Sequence, residues 1–395
     1  MRRQQPRAVN VSAGRACYDR RVRLEAVGEN PIERVIARTN VPPWPLLHTQ
    51  MAFTLARVIM AATSLGVFEA LEERPVPAAA VAQRCSTDPR ATEKLLFALA
   101  AAGYARASDD GYALTPLSRK WLRRESPHCL ADKLILQFAE WDWMERSEEY
   151  VRTGSALDLH DTLAADEWPA YQRGMRALAS TVASEIARRL PVPRSAHDML
   201  DIGGSHGYYS VVLCRRHDGL RAVVLDLPEA VQHAAPLLAA EGMGDRVVHR
   251  AGNALTDELG DEAYDLVIVS QLVHHFNEQQ NRELAARVAR ALRPGGIHAI
   301  IDAFRPASPK DAGQVGALLE FYFALTSQSG TSTPQEMAAS LPLMFTSMNV
   351  DDQTDGLGGM KANAPAEVFE GVWRLFGSAV SGADRAVVAQ RLGLA

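Results

Sequence analysis

The chain has 395 residues, more than one ordinary domain needs, and its 47% hydrophobic and 23% charged residues are a soluble globular composition. A net charge of -5 provides no global basic field for nucleic acid or an anionic membrane. The four cysteines, Cys17, Cys85, Cys129 and Cys214, lie far apart without a CxxC pair, which argues against zinc or a dense disulfide framework. No run reaches the ~18 apolar residues of a membrane span, so a reduced, cytoplasmic protein with no membrane and no metal is expected.

Residues 1–40 read as a polar, Arg-rich, disordered leader without the apolar core of a secretory signal. VPPWP, residues 41–45, is a stiff entry. MAFTLARVIMAATSLGVFEAL then reads as one long apolar helix, and two more follow in PVPAAAVAQRC and DPRATEKLLFALAAAGY. Asp88 caps the latter and Pro89 takes its first helical position. YARASDDGYALTP reads as a hairpin, so residues 41–125 add up to a winged helix. Residues 126–192 continue as a helical linker bundle. From 193 to 340 short β-rich runs (HDMLDIG, RAVVLDL, RVVHRAG, YDLVIVSQLV, GIHAIIDAF) alternate with helix-length segments. That alternation predicts an α/β fold with a mainly parallel, doubly wound sheet. Residues 341–395 are a divergent tail with a Gly/Asp-rich stretch and no clear pair of alternating strands.

Ligands of such sheets sit beyond the carboxyl ends of the strands. LDIGGSHGYYS ends a strand in two glycines and a third, Gly203, Gly204 and Gly207. Glycine lets a ligand lie against the backbone. The pattern is DxGGxxG, not GxGxxG, and no Lys-Ser/Thr pair follows, which excludes a P-loop. Asp226, in VVLDLP, ends the next strand, where a carboxylate accepts from ribose hydroxyls.

LDIGGSHGYYS, VVLDLP, RAGNAL, YDLVIVSQLVHHFNEQQ and ALRPGGIHAIID, in this order and behind a winged helix, resemble the class I S-adenosylmethionine-dependent small-molecule O-methyltransferase family. Plant caffeic acid, hydroxyindole and bacterial polyketide O-methyltransferases are of this type. The resemblance covers residues 46–340 and implies a Rossmann-like domain that binds S-adenosylmethionine and releases S-adenosylhomocysteine. It implies donor contacts at Asp201, Gly203, Gly204, Gly207, Asp226, Leu227, Asn253, Ala254 and Ser270. Position 253 carries Asp in the family and Asn here. His274 matches the catalytic base and Asp302 the acid that flanks it. A second family Glu has no counterpart in SQSGTSTPQEM. Met175, Phe276, Tyr322 and Phe323 match acceptor-side positions, and Trp143 is a further candidate wall.

The chemistry agrees. A phenol with a pKa near 10 is scarcely ionised at neutral pH, and a neutral imidazole accepts its proton as the methyl group is transferred. Two aromatics at Tyr322 and Phe323 suit a flat, apolar acceptor. The winged helix is read as a homodimer interface, not a DNA reader: its third helix has only Arg90 and Lys94 as basic residues, and Asp109-Asp110 would face phosphate. The alternatives are an inactive relative, decarboxylation or hydroxylation on the same fold, or a metabolite-sensing DNA-binding regulator.

Overall fold

The computed structural model describes residues 7–10, 30–39, 41–157, 159–305, 308, 313–333 and 336–337. The chain divides into two compact units, one built mainly from residues 24–140 and one mainly from residues 141–375. The divergent tail at 341–395 lies outside the described residues.

In the first unit the expected long helix is broken. Helix Ala52–Ser64 follows a π turn over Leu47–Met51 and stops before Gly66, whose φ of 74° lies in the left-handed region. A left-handed glycine ends an α-helix because the next amide can no longer follow its axis. The chain resumes as Val67–Ala70, then Ala78–Cys85 and Pro89–Ala101. Asp88 caps the last of these by accepting from the Ala91 amide at 2.8 Å, with Pro89 behind it. Numbering the sheet strands in chain order, β1 is Arg7–Asn10, and β2 (Ala105–Ser108) and β3 (Gly111–Leu114) form the antiparallel hairpin of the winged-helix unit. Phe68, Leu71, Val81, Leu96 and Leu99 form its core. Phe53, Leu55 and Phe97 stay outside, with Phe97 68% exposed.

The second unit holds β4 (Asp198–Ile202), β5 (Arg221–Asp226), β6 (Val247–Ala251), β7 (Tyr264–Ser270) and β8 (Leu292–Ile301). They are parallel, in the order β8-β7-β4-β5-β6. One row of the register runs His298, Val267, Leu200, Val223, Val248. β8 starts earlier than GIHAIIDAF suggested, at Leu292, and its pairing with β7 shifts between Tyr264 and Leu266. Both faces are packed, as a parallel sheet requires: Met199, Leu213, Val224 and Ile268 lie in one cluster, Leu200, Val267, Leu284 and Ile300 in another.

The leader is not structureless throughout. Pro31–Ile36 is a helix capped by Asn30, and β1 pairs in parallel with β8, Ala8 opposite His298. β1 therefore covers the edge of β8, and a bare edge is a template for aggregation. Deleting residues 1–10 is expected to lower the melting temperature and raise light scattering on warming. An unchanged melting curve would mean that this four-residue strand contributes nothing to stability.

Candidate active site

The site is built at the carboxyl ends of β4, β5, β7 and β8. β4 runs into the glycine turn, where Gly203 (φ 66°), Ser205 (φ 49°) and Gly207 (φ 68°) adopt left-handed backbone. A Cβ at Gly204 would lie 2.5 Å from Cγ of Asp201, and one at Gly203 2.8 Å from Leu272 Cδ2. Only glycine fits at these two positions.

Five contacts fix the turn. The Gly203 amide donates to Leu225 O at 2.8 Å, and the Ser205 amide to Asp226 Oδ2 at 2.8 Å. The Ser205 hydroxyl bonds the buried Gln172 side chain. His249 Nε2 donates to Ser205 O at 2.7 Å. His206 Nδ1 accepts from the Tyr208 amide at 3.1 Å. Burial, with Arg176 and His249 adding to it, pushes His206 down to about 3 and keeps it neutral.

Asp226 is half-buried at the end of β5, and its Oδ1 also accepts from the Leu227 amide at 2.8 Å. Burial raises its pKa to about 6 against the pull of those two amides. Asp201 is fully buried; its Oδ2 accepts from Ser210 Oγ at 2.7 Å, while Oδ1 has no protein partner among the described residues. Desolvation raises its pKa to about 7. Two carboxyls, a glycine cradle and an unsatisfied buried oxygen are a suitable acceptor set for the ribose hydroxyls and the ammonium group of a nucleoside-linked amino acid.

The other expected donor-side residues fall around this turn. Leu227 is 42% exposed beside Asp226, Ala254 packs against the core, and Ser270 is buried at the end of β7. Asn253 is exposed, and its side-chain oxygen accepts from the Leu255 amide at 2.9 Å, so it closes a local turn.

After β7 a 3₁₀ turn, Val273–His275, carries the candidate base. His274 is 6% exposed, and its Nδ1 lies 2.7 Å from Asp302 Oδ1, which also accepts from the Ala303 amide at 2.7 Å. A carboxylate only accepts, so Nδ1 carries the proton and Nε2 presents its lone pair. The turn is clamped from behind: Asn281 Nδ2 donates to Val273 O and to Phe276 O, each at 3.0 Å. Asn281 lies in a helix fixed by a reciprocal cap between Asn277 and Gln280. The Ser329 amide, in the segment without the second family Glu, approaches His274 O at 3.4 Å.

Phe323 lies 4.7 Å from the His274 ring, and Tyr322 meets Phe323 edge-on at 5.6 Å. Phe276 packs against the core below the turn, and Met175 is half-buried on helix Trp168–Ser180. Trp143 is 8% exposed, the burial of a core residue rather than of an open wall. Sequence reasoning missed Gln172 and His249, which hold the glycine turn from a distant helix and strand, and Asn281, which holds the Val273–His275 turn from the next helix. No local pattern marks Gln172 and His249, because each acts through a long-range hydrogen bond to Ser205, and Asn281 holds its turn with two side-chain bonds to backbone carbonyls.

A parallel sheet in this strand order, with a glycine turn after β4 and an acid at the end of β5, is the arrangement of a Rossmann-like nucleoside-binding domain. The chain belongs to the O-methyltransferase family: residues 152–341 match the O-methyltransferase domain, and residues 47–124 match the O-methyltransferase dimerisation domain. It is 28% identical over 262 residues to the 3-hydroxy-5-methyl-1-naphthoate 3-O-methyltransferase of Streptomyces sahachiroi, covering 64% of this chain and 75% of the relative. It is 29% identical over 308 residues to the tetracenomycin polyketide synthesis 8-O-methyl transferase of Streptomyces glaucescens, covering 74% and 88%. The fold is shared with human N-acetylserotonin methyltransferase, solved in complex with S-adenosylmethionine, at a TM-score of 0.67 and 19% identity over 80% of this chain and 93% of that one.

Proposed function

We propose that this enzyme transfers a methyl group from S-adenosylmethionine to a hydroxyl of a small aromatic or polyketide-like metabolite, with His274 as general base. The observation that carries the reading is the His274–Asp302 pair, buried and 2.7 Å apart, which leaves Nε2 as an acceptor beside Phe323. The family match and the naphthoate and tetracenomycin relatives support a flat oxygenated acceptor.

The glycine turn, Asp226 and Asp201 would hold the donor, which supplies an electrophilic methyl on a sulfonium when bound. Phe323 and Tyr322 flank the acceptor ring and exclude water. His274 Nε2 takes the hydroxyl proton, and Asp302 steadies the imidazolium that forms. Placing the acceptor oxygen in line with the methyl group supplies much of the remaining acceleration. We assign the 47–124 unit to a homodimer interface, consistent with its family match and its exposed Phe53, Leu55 and Phe97.

Calorimetric titration with S-adenosylmethionine and S-adenosylhomocysteine is expected to give micromolar binding of both. Mass spectrometry with isotopically labelled donor should then reveal a methylated phenol. A folded dimer that binds neither nucleoside would overturn the reading and turn attention to a regulatory role.

A further inference from the structure

A second group of side chains adjoins the base, and the reaction described so far makes no use of it. The His275 ring lies 4.2 Å from that of His274 and 4.6 Å, edge-on, from that of His160. His160 Nε2 and Tyr171 Oη are 3.2 Å apart, a hydrogen bond that fixes the His160 ring. Trp168 stacks on His160 at 6.0 Å and on His233 at 6.3 Å. These residues come from four separate segments: helix Leu159–Thr162, helix Trp168–Ser180, helix Pro228–Ala240 and the turn after β7. All three of His160, Tyr171 and His275 are half-buried.

Burial first, then His274 and His160, hold His275 well below the ordinary histidine pKa. It is therefore a neutral imidazole with one N–H donor and one acceptor nitrogen. An acceptor that offered only a hydrocarbon face would need an apolar wall here.

We propose that His275, steadied by the His160–Tyr171 pair, binds a second oxygen of the acceptor, adjacent to the hydroxyl that His274 deprotonates. The preferred acceptor is then an aromatic hydroxyl flanked by a carbonyl or another hydroxyl. This rests on the acceptor class proposed above and narrows it. Neighbouring oxygens on an aromatic system are about one hydrogen-bond length apart, ~2.7 Å. Two imidazoles 4.2 Å apart at their centres suit such a pair, one oxygen to each ring. A flanking carbonyl holds the phenol proton in an internal hydrogen bond. Donation from the His275 N–H to that carbonyl weakens the internal bond and releases the proton toward His274 Nε2.

The test compares two isomeric probes. 1-Hydroxyanthraquinone carries its hydroxyl beside a carbonyl; 2-hydroxyanthraquinone does not. The wild-type kcat/KM is expected to favour the 1-isomer by roughly tenfold, the scale of one well-made hydrogen bond. His275→Phe should bring that ratio to one or below, and His275→Asn, which keeps a donor, should restore part of it. Tyr171→Phe, which removes only one hydroxyl, should lower the ratio partway. Calorimetry with S-adenosylhomocysteine reports whether each variant is folded. Equal methylation of both isomers by the wild type, or an unchanged ratio in His275→Phe, overturns this assignment alone. Methylation of neither isomer by a protein that binds the donor overturns the acceptor class with it.

Discussion

His274→Ala is expected to lower kcat by about 10²–10⁴-fold, the usual worth of a positioned general base, with S-adenosylhomocysteine affinity little changed. The reasoning starts from the acceptor. A phenol keeps its proton at neutral pH, and its oxygen becomes a good nucleophile only as that proton leaves. His274 Nε2 is the free acceptor of a ring whose other nitrogen is tied to Asp302 at 2.7 Å. Alanine removes the proton acceptor and also leaves Asp302 Oδ1, among the described residues, with only the Ala303 amide as partner. Asp302→Asn should cost less, because the base stays while its tautomer is no longer dictated by a carboxylate. The measurement is single-turnover methyl transfer across a pH series. Wild-type rates in His274→Ala at every pH would mean that proximity alone drives the reaction and that the acceptor arrives ionised.

The sheet was legible because each β-rich run is bounded by turn residues and separated by a helix-length segment, so the period itself reports the topology. The glycine loop was legible because glycines that must admit positive φ leave their mark in the chain, and Gly203 and Gly207 do adopt it. The break at Gly66 was legible in principle, since a glycine inside an apolar helix is a stop signal when it takes left-handed backbone. The surrounding hydrophobic periodicity outweighed it. β1 was not legible: RAVN is too short to stand out, and it forms a strand only where β8 offers an edge. His275 illustrates a different limit. Nothing local marks a histidine beside the candidate base, because its ring neighbour His160, and the Tyr171 hydroxyl that bonds His160, lie more than a hundred residues earlier.

Asp226→Ala is expected to weaken S-adenosylmethionine binding by about 10–100-fold, for two reasons that add. Asp226 is the acid at the end of β5 to which we assign the ribose hydroxyls, and a charge-assisted hydrogen bond contributes roughly 1.5–3 kcal/mol. It also holds the glycine turn, since Oδ2 takes the Ser205 amide and Oδ1 the Leu227 amide, both at 2.8 Å. Asp226→Asn separates the two roles, because one oxygen still accepts while the charge is gone. The free carboxyl titrates at about 6 because burial opposes its charge. Hydroxyls that donate to the charged form lower that pKa on binding. Affinity should therefore be full above pH 6 and fall as the pH drops through 6, and this fall should be absent in Asp226→Asn. Burial acts oppositely on folding. With the folded pKa raised above the unfolded value, the carboxyl's contribution to stability is greatest at low pH and diminishes as the pH rises through about 6. Donor binding and intrinsic stability thus respond to Asp226 with opposite signs, and calorimetry and thermal melting over the same pH range separate them. Wild-type affinity in Asp226→Ala, flat in pH, would move the ribose contact to another residue.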